Sequence, residues 1–153
     1  MALKTNGTLW GWGLNGFGQL GPAPVTTSFP LQLGSDYWQS ISAGENHSIG
    51  IKKDSTLWVW GRNYNGQLGV ATSTDVFTPM QISSPIKWKS ASARGNHTMA
   101  LKINNTLWAW GQNNKGQVGD STITDKSSPI QIGSAADWNS IHAGMENSFA
   151  IKN

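Results

Sequence analysis

The 153-residue chain has no cysteine, which excludes disulfide staples, thiolate metal centres and cysteine nucleophiles. Charge is scarce too: Asp, Glu, Lys and Arg make up 12% of the residues, and the net charge is +3. The eleven Lys and Arg are scattered along the chain, whereas a nucleic-acid footprint shows a basic run or patch. No nucleic-acid partner is therefore expected. No apolar run approaches the ~20 residues of a membrane-spanning helix, and no apolar pattern has helical period. Met1-Ala2-Leu3-Lys4-Thr5-Asn6 lacks the basic start and apolar core of an export signal. Neither a membrane span nor a classical signal is expected, and localisation stays open.

Gly, with 18 residues, and Trp, with nine, are plentiful. A disordered chain needs charge and few aromatics, and a helical bundle needs Ala, Glu, Lys and Leu. The composition predicts a single β domain with many tight turns and large aromatic anchors.

The Trp residues are periodic. Thr8-Leu9-Trp10-Gly11-Trp12-Gly13 returns as Thr56-Leu57-Trp58-Val59-Trp60-Gly61 and Thr106-Leu107-Trp108-Ala109-Trp110-Gly111. Gly18-Gln19-Leu20-Gly21 returns as Gly66-Gln67-Leu68-Gly69 and Gly116-Gln117-Val118-Gly119. A Pro-x-Gln element follows at Pro30, Pro79 and Pro129, then a Trp two residues before Ser at Trp38, Trp88 and Trp138. All nine Trp fall on three repeat positions. The units are 1–48, 49–98 and 99–148, with 149–153 as a surplus strand. The first unit is two residues shorter, with one loss on each side of the Pro-x-Gln element, which places loops there.

Each unit reads as four short strands separated by turn-forming residues. Met1–Lys4, Ile49–Lys52, Met99–Lys102 and Phe149–Lys152 form one series. The Trp-x-Trp segments form the second, the Pro-x-Gln segments the third, and Trp38–Ala43 with its counterparts the fourth. Trp10 and Trp12 point to one face of their strand and Leu9 to the other. Both faces need cover, which the stacked blades of a propeller provide.

The order Trp-Gly-x-Asn-x-x-Gly-Gln-Leu-Gly, Pro-x-Gln, Ile-Ser-Ala-Gly-x-x-His-Ser resembles the regulator of chromosome condensation repeat over essentially the whole chain, in Trp-rich wording similar to bacterial and phage versions. Residues 41–51 fit its second signature at every position. In the second copy Arg94 replaces the signature Gly, and in the third His142 replaces Ser and Asn147 replaces His. The resemblance implies an all-β fold of three propeller blades, each of about four antiparallel strands. In this family propellers usually have seven blades, and closure takes about four or more. It therefore implies an open arc, a partner supplying blades, or self-association, with a two-chain ring of six blades favoured. Relatives act as nucleotide exchange factors on a small GTPase or inhibit enzymes by capping active sites.

Sites for chemistry are thin. Gly11-Trp12-Gly13-Leu14-Asn15-Gly16 and the overlapping 16–21 match a dinucleotide fingerprint, but no helix follows to hold a pyrophosphate. His47 and His97 share a repeat position that suggests a structural hydrogen bond, one imidazole per unit being too few for a metal. Asp75 and Asp125 share a loop position suited to Asx turns. Lys4, Lys52, Lys102 and Lys152 recur at strand ends, as solvated ends or a basic rim. No catalytic residue, cofactor or metal is expected. Binding residues are sought where the units differ: Phe17, Arg62, Tyr64 and Lys115 after Trp-Gly, then Arg94, with Phe77 and Met145 beside it. Arg and aromatics are common interface anchors. The expected function is a non-enzymatic protein-interaction or assembly module, with a virion or cell surface as one setting; the alternative is a regulatory exchange factor or enzyme inhibitor.

Overall fold

The computed structural model describes residues 1–82 and 85–153. Among them there are twelve strands and no helix. They are β1 (Ala2–Leu3), β2 (Thr8–Leu14), β3 (Thr26–Ala43), β4 (His47–Lys52), β5 (Leu57–Gly61) and β6 (Val76–Ile82). Then come β7 (Trp88–Arg94), β8 (His97–Lys102), β9 (Leu107–Gly111), β10 (Lys126–Gln131), β11 (Trp138–Ala143) and β12 (Ser148–Lys152). Every strand pair is antiparallel.

Repeat and sheet are out of phase. One blade is β7-β8-β9-β10, so its first strand comes from the end of the preceding repeat. The blade before it takes the second half of β3, then β4, β5 and β6. A three-stranded sheet of β1, β2 and the first half of β3 precedes these, and the β11–β12 hairpin follows. The arc thus has two four-stranded blades between two partial ones. The expected third and fourth strands of the first unit are one strand, β3, which serves two sheets through Trp10↔Gln32 and Ser40↔Ile51. β3 runs on through residues 34–37, where Tyr37 still pairs with Thr8, and Gly34 takes φ 69°.

Each blade has two unlike faces. Ile49, Ile51, Leu57, Val59 and Ile82 of the second blade form one core cluster with Trp88, Ala100 and Trp110 of the third. Leu9, Leu20 and Leu33 meet Trp38 and Trp60 in the same way, and Met99, Leu101 and Leu107 meet Ile141 and Trp138. An aliphatic face therefore always meets a tryptophan face. Within the tryptophan face, Trp38 and Trp60 ring centroids lie 5.4 Å apart, and those of Trp88 and Trp110 lie 6.1 Å apart. The indole N–H of Trp60 donates to the Gln19 carbonyl and that of Trp110 to the Gln67 carbonyl, both at 2.9 Å. Gly69, at φ 73°, is required twice over, because a Cβ there would lie 2.7 Å from the Trp110 Nε1.

Trp12 holds the same repeat position as Trp60 and Trp110, yet it is 45% exposed while they are 1% and 0% exposed. The expected cover on both faces is absent there, because no blade precedes the first sheet among the described residues. At the other end Phe149 and Ile151 are exposed, whereas Ile49 and Ile51 are buried.

Burial of this kind separates the consequences of identical substitutions. Trp110→Ala is expected to cost about 3–5 kcal/mol, the usual range for a core aromatic, and Trp12→Ala about 1 kcal/mol or less. Urea denaturation of both variants checks this; equal losses would refute it.

Candidate functional site

Antiparallel pairing sorts the connections onto two ends of the arc. The β3–β4, β7–β8 and β11–β12 turns share one end with the long loops that follow β2, β5 and β9. Backbone bonds from Arg62 N–H to Asn46 O and from Gln112 N–H to Asn96 O, both 2.8 Å, tie turn to loop. The variable residues singled out from the sequence therefore stand on one face.

The loops themselves are held by their invariant polar residues. The amide oxygens of buried Asn15, Asn63 and Asn113 accept the N–H of Leu20, Leu68 and Val118 at 2.7, 2.9 and 2.9 Å. Gln19, Gln67 and Gln117 side chains accept the N–H of Phe17, Asn65 and Lys115 at 3.0, 2.9 and 2.8 Å. Asp75 and Asp125 accept the N–H of Asn63 and Asn113, twelve residues away, at 2.8 Å each. They clamp whole loops rather than forming the expected Asx turns. Asp120 is held below the usual carboxylate range first by Lys126, then by Thr122 and Asn113.

On this frame the Arg62 guanidinium lies 4.8 Å from the Phe17 ring centroid and 5.8 Å from that of Tyr64. Stacking of this type is attractive by cation–π electrostatics. The clasp bridges two blades, since Phe17 belongs to the first loop and Arg62 and Tyr64 to the second. Beside it an open groove of about 490 Å³ is lined by Phe17, Arg62, Tyr64, Asp75 and Phe77, among others. Tyr64 is 72% and Phe77 59% exposed. Phe77 thus joins the first candidate set, not Arg94 and Met145. Lys115 and Arg94 are exposed on the same face but do not line this groove. Arg94 pairs with His97 across the β7–β8 turn, where Gly95 takes φ 55°. That shift of the turn accommodates a side chain where the other copies have Gly.

The signature histidines lie in the joints between blades. Thr98 Oγ1 donates to the Gln67 carbonyl at 2.8 Å, so it accepts from His47 Nε2 at 3.0 Å. Likewise Ser148 Oγ donates to the Gln117 carbonyl at 2.6 Å and accepts from His97 Nε2 at 3.0 Å. Each ring is therefore the neutral Nε2–H tautomer. Burial first, then the neighbouring His97, pushes His47 down to about 3, and burial pushes His97 down to about 4. Gly44 is needed here because a Cβ would strike the His47 ring; in the third copy Asn147 fills that place against Gly144. The Ser of the repeat signature is a second joint residue, a role its position in the sequence did not show. Ser42 Oγ accepts the N–H of Ala93 at 3.0 Å, and Ser92 Oγ that of Ala143 at 2.9 Å.

The recurrent lysines stand at or just past strand ends, with Lys4 and Lys152 exposed, and each leans over an indole. Lys4, Lys52 and Lys102 ammonium groups lie 3.8, 3.7 and 3.3 Å from the ring centroids of Trp10, Trp58 and Trp108. Lys52 and Lys152 also pair with Asp36 and Asp137 at 3.0 and 3.3 Å. Among the described residues no three His, Asp or Glu gather in a way that could hold a metal ion. Among the described residues no helix is long and apolar enough to cross a membrane.

The family model for the Regulator of chromosome condensation (RCC1) repeat matches residues 6–51, 54–101 and 104–151, and a second model of that repeat matches 38–67 and 89–117. Yeast RCC1 (Prp20), in its crystal structure bound to Kap60, superposes with a TM-score of 0.85 at 26% identity, over 99% of this chain and 40% of that one. Prp20p from Saccharomyces cerevisiae, studied with its binding to Gsp1p and histones, gives 0.81 at 25% identity, over 99% and 41%. Human WBSCR16 shares the fold, at 0.85 and 15% identity over 98% and 41%. The chain spans about 40% of the length of these proteins. No match was found among curated protein sequences.

The buried rings set a pH dependence. Both folded values lie below the ordinary 6.5, so the unfolded chain takes up protons first as pH falls. Stability is complete above about pH 6.5 and falls until His97 and then His47 titrate in the folded state. Between pH 7 and 5 the loss is on the order of 2 kcal/mol per ring. Urea midpoints at the two pH values measure it. His97→Asn, the residue of the third copy, is expected to halve the pH slope.

Proposed function

The chain belongs to the Regulator of chromosome condensation repeat family, and from that premise we propose that it is a non-catalytic protein-interaction and assembly module. The observation that carries this reading is the clasp of Phe17, Arg62 and Tyr64. An arginine held between two rings by a hydrogen-bonded loop frame is ordered before a partner arrives, which lowers the entropic cost of binding. Exposed Tyr64 and Phe77 supply the apolar contact, with Lys115 and Arg94 as outlying cations on the same face. Arg and Tyr are among the residues enriched at the energetic centres of protein interfaces.

Self-association, with two copies supplying six blades, is the form of assembly this reading favours. The Trp-rich wording of the repeat favours a bacterial or phage setting, on a virion or a cell surface. A second reading is regulatory, as an exchange factor or enzyme inhibitor. The likeness to yeast Prp20p, studied for binding to Gsp1p and histones, supports it.

A photo-crosslinking residue in place of Tyr64 is expected to capture a protein that the same residue in place of exposed Ile103, at the other end, does not. With that protein purified, Arg62→Ala should weaken binding by about thirtyfold, corresponding to roughly 2 kcal/mol for an interface anchor. Equal capture at both positions, or unchanged affinity, would sink the reading. Accelerated release of labelled guanine nucleotide from a small GTPase would favour the regulatory reading.

A further inference from the structure

Resting on the interaction reading above, we propose that the groove between the second and third blades is a receptor for a guanidinium group, the arginine side chain of a protein partner. An open groove of about 370 Å³ there is lined by Tyr64, Asn65, Ser73, Asp125 and Ser127, among others. All five belong to the two whole blades and the loops between their strands. Tyr64 and Ser73 also line the neighbouring groove of Arg62, Asp75 and Phe77, so the tyrosine ring stands between the two.

The carboxylate on this groove has its geometry fixed and its charge unmatched. Asp125 Oδ1 accepts the N–H of Asn113 at 2.8 Å, and Oδ2 accepts the Asn65 side-chain N–H at 2.9 Å. Both donors are neutral, and Asp125 makes no ion pair among the described residues. Lys126, its neighbour in sequence, is turned to Asp120 at 2.8 Å. Each carboxylate oxygen keeps a lone pair for a further donor. The walls are fixed as well. Ala71, at φ 61°, donates its N–H to the Ser127 carbonyl at 2.8 Å, and Asn63 Nδ2 donates to the Thr72 carbonyl at 2.8 Å. A positive φ at a residue other than glycine persists only where the surroundings impose it. A site ordered in this way spares its ligand part of the entropic cost of binding.

The neighbouring groove supplies the internal precedent. Asp75 holds the same repeat position as Asp125 and clamps Asn63 as Asp125 clamps Asn113, at 2.8 Å. Its groove contains the chain's own guanidinium, Arg62, 5.8 Å from the Tyr64 ring centroid. The third repeat has Gln112 at the place of Arg62, so the second groove has the ring and the carboxylate without the cation. Ser127 stands where the first groove has Phe77, which exchanges an apolar wall for a hydroxyl. A planar guanidinium stacks on an aromatic face while the N–H groups of its edge meet a carboxylate; an ammonium, as a point charge, lacks that plane. Tyr64, 72% exposed, offers the face. Asp125, the Ser127 hydroxyl and Asn65 Oδ1 offer the acceptors.

Backbone amide NMR of the full chain, titrated with Nα-acetyl-arginine amide, is expected to show saturable shifts at Asn65, Ser73 and Ser127. The dissociation constant should be on the order of 1 mM. Nα-acetyl-citrulline amide, of the same shape without the charge, is expected to leave those amides in place. Asp125→Asn keeps an oxygen for the Asn113 N–H and should weaken the arginine probe about tenfold, with the rest of the spectrum showing the fold intact. Tyr64→Leu removes the stacking face and should weaken it about threefold. Equal shifts from the citrulline probe, shifts gathered around Asp75 instead, or full affinity in Asp125→Asn overturn the proposal. A protein captured at Tyr64 and bound equally well by Asp125→Asn overturns it too, and leaves the interaction reading standing. Probe binding as expected without capture at Tyr64 supports the groove and sinks that reading.

Discussion

A tryptophan face needs an aliphatic face and a backbone carbonyl, and both come from the blade before it. That requirement organises the molecule. Trp60 and Trp110 are buried on the leucines, isoleucines and valines of their predecessors, and their indole N–H groups end on Gln19 and Gln67 carbonyls. An aromatic of this size removes ~150–250 Å² from water, and its one polar atom must be satisfied for that burial to be favourable. The glycines on both sides of those glutamines, the buried asparagines beneath the loops and the histidine joints all serve to present that carbonyl at the right place. The polarity of the joint gives the arc a direction, because its two ends are not alike.

The binding face is a by-product of the same frame. Loops whose backbone path is set by Asn, Gln and Asp bonds leave side-chain positions that differ from repeat to repeat. Into those positions the second repeat puts Arg62 and Tyr64 and the first puts Phe17. Rigidity is supplied by the repeat, and identity by what departs from it.

Fold and repeat anchors were legible because tryptophan spacing is a strong signal and each copy repeats it. Equality of positions concealed inequality of surroundings: Trp12, Trp60 and Trp110 read alike, yet burial depends on a neighbour that a repeat position cannot name. Arg62 and Tyr64 stood out as departures, but their meeting with Phe17 was hidden, since Phe17 aligns with Asn65 and Lys115 rather than with Arg62. The lysines are the strand ends their positions suggested, but their aromatic partners were hidden because these lie across a hairpin in a different strand series. Ser42 and Ser92 stand in the repeat signature, but their bonds to Ala93 and Ala143, 51 residues on in the next sheet, leave no trace in the spacing. Asp75 was seen as a turn residue because its partner, Asn63, lies twelve residues back across a loop.

The offset between repeat and sheet bears on how such chains change length. Both whole blades begin inside a repeat rather than at its start, so every boundary between repeats falls within a sheet. Gain or loss of one repeat length leaves the whole blades with their four strands and the joints with their 51-residue partners. Ring size is therefore free to drift by whole units, without any seam having to be reinvented.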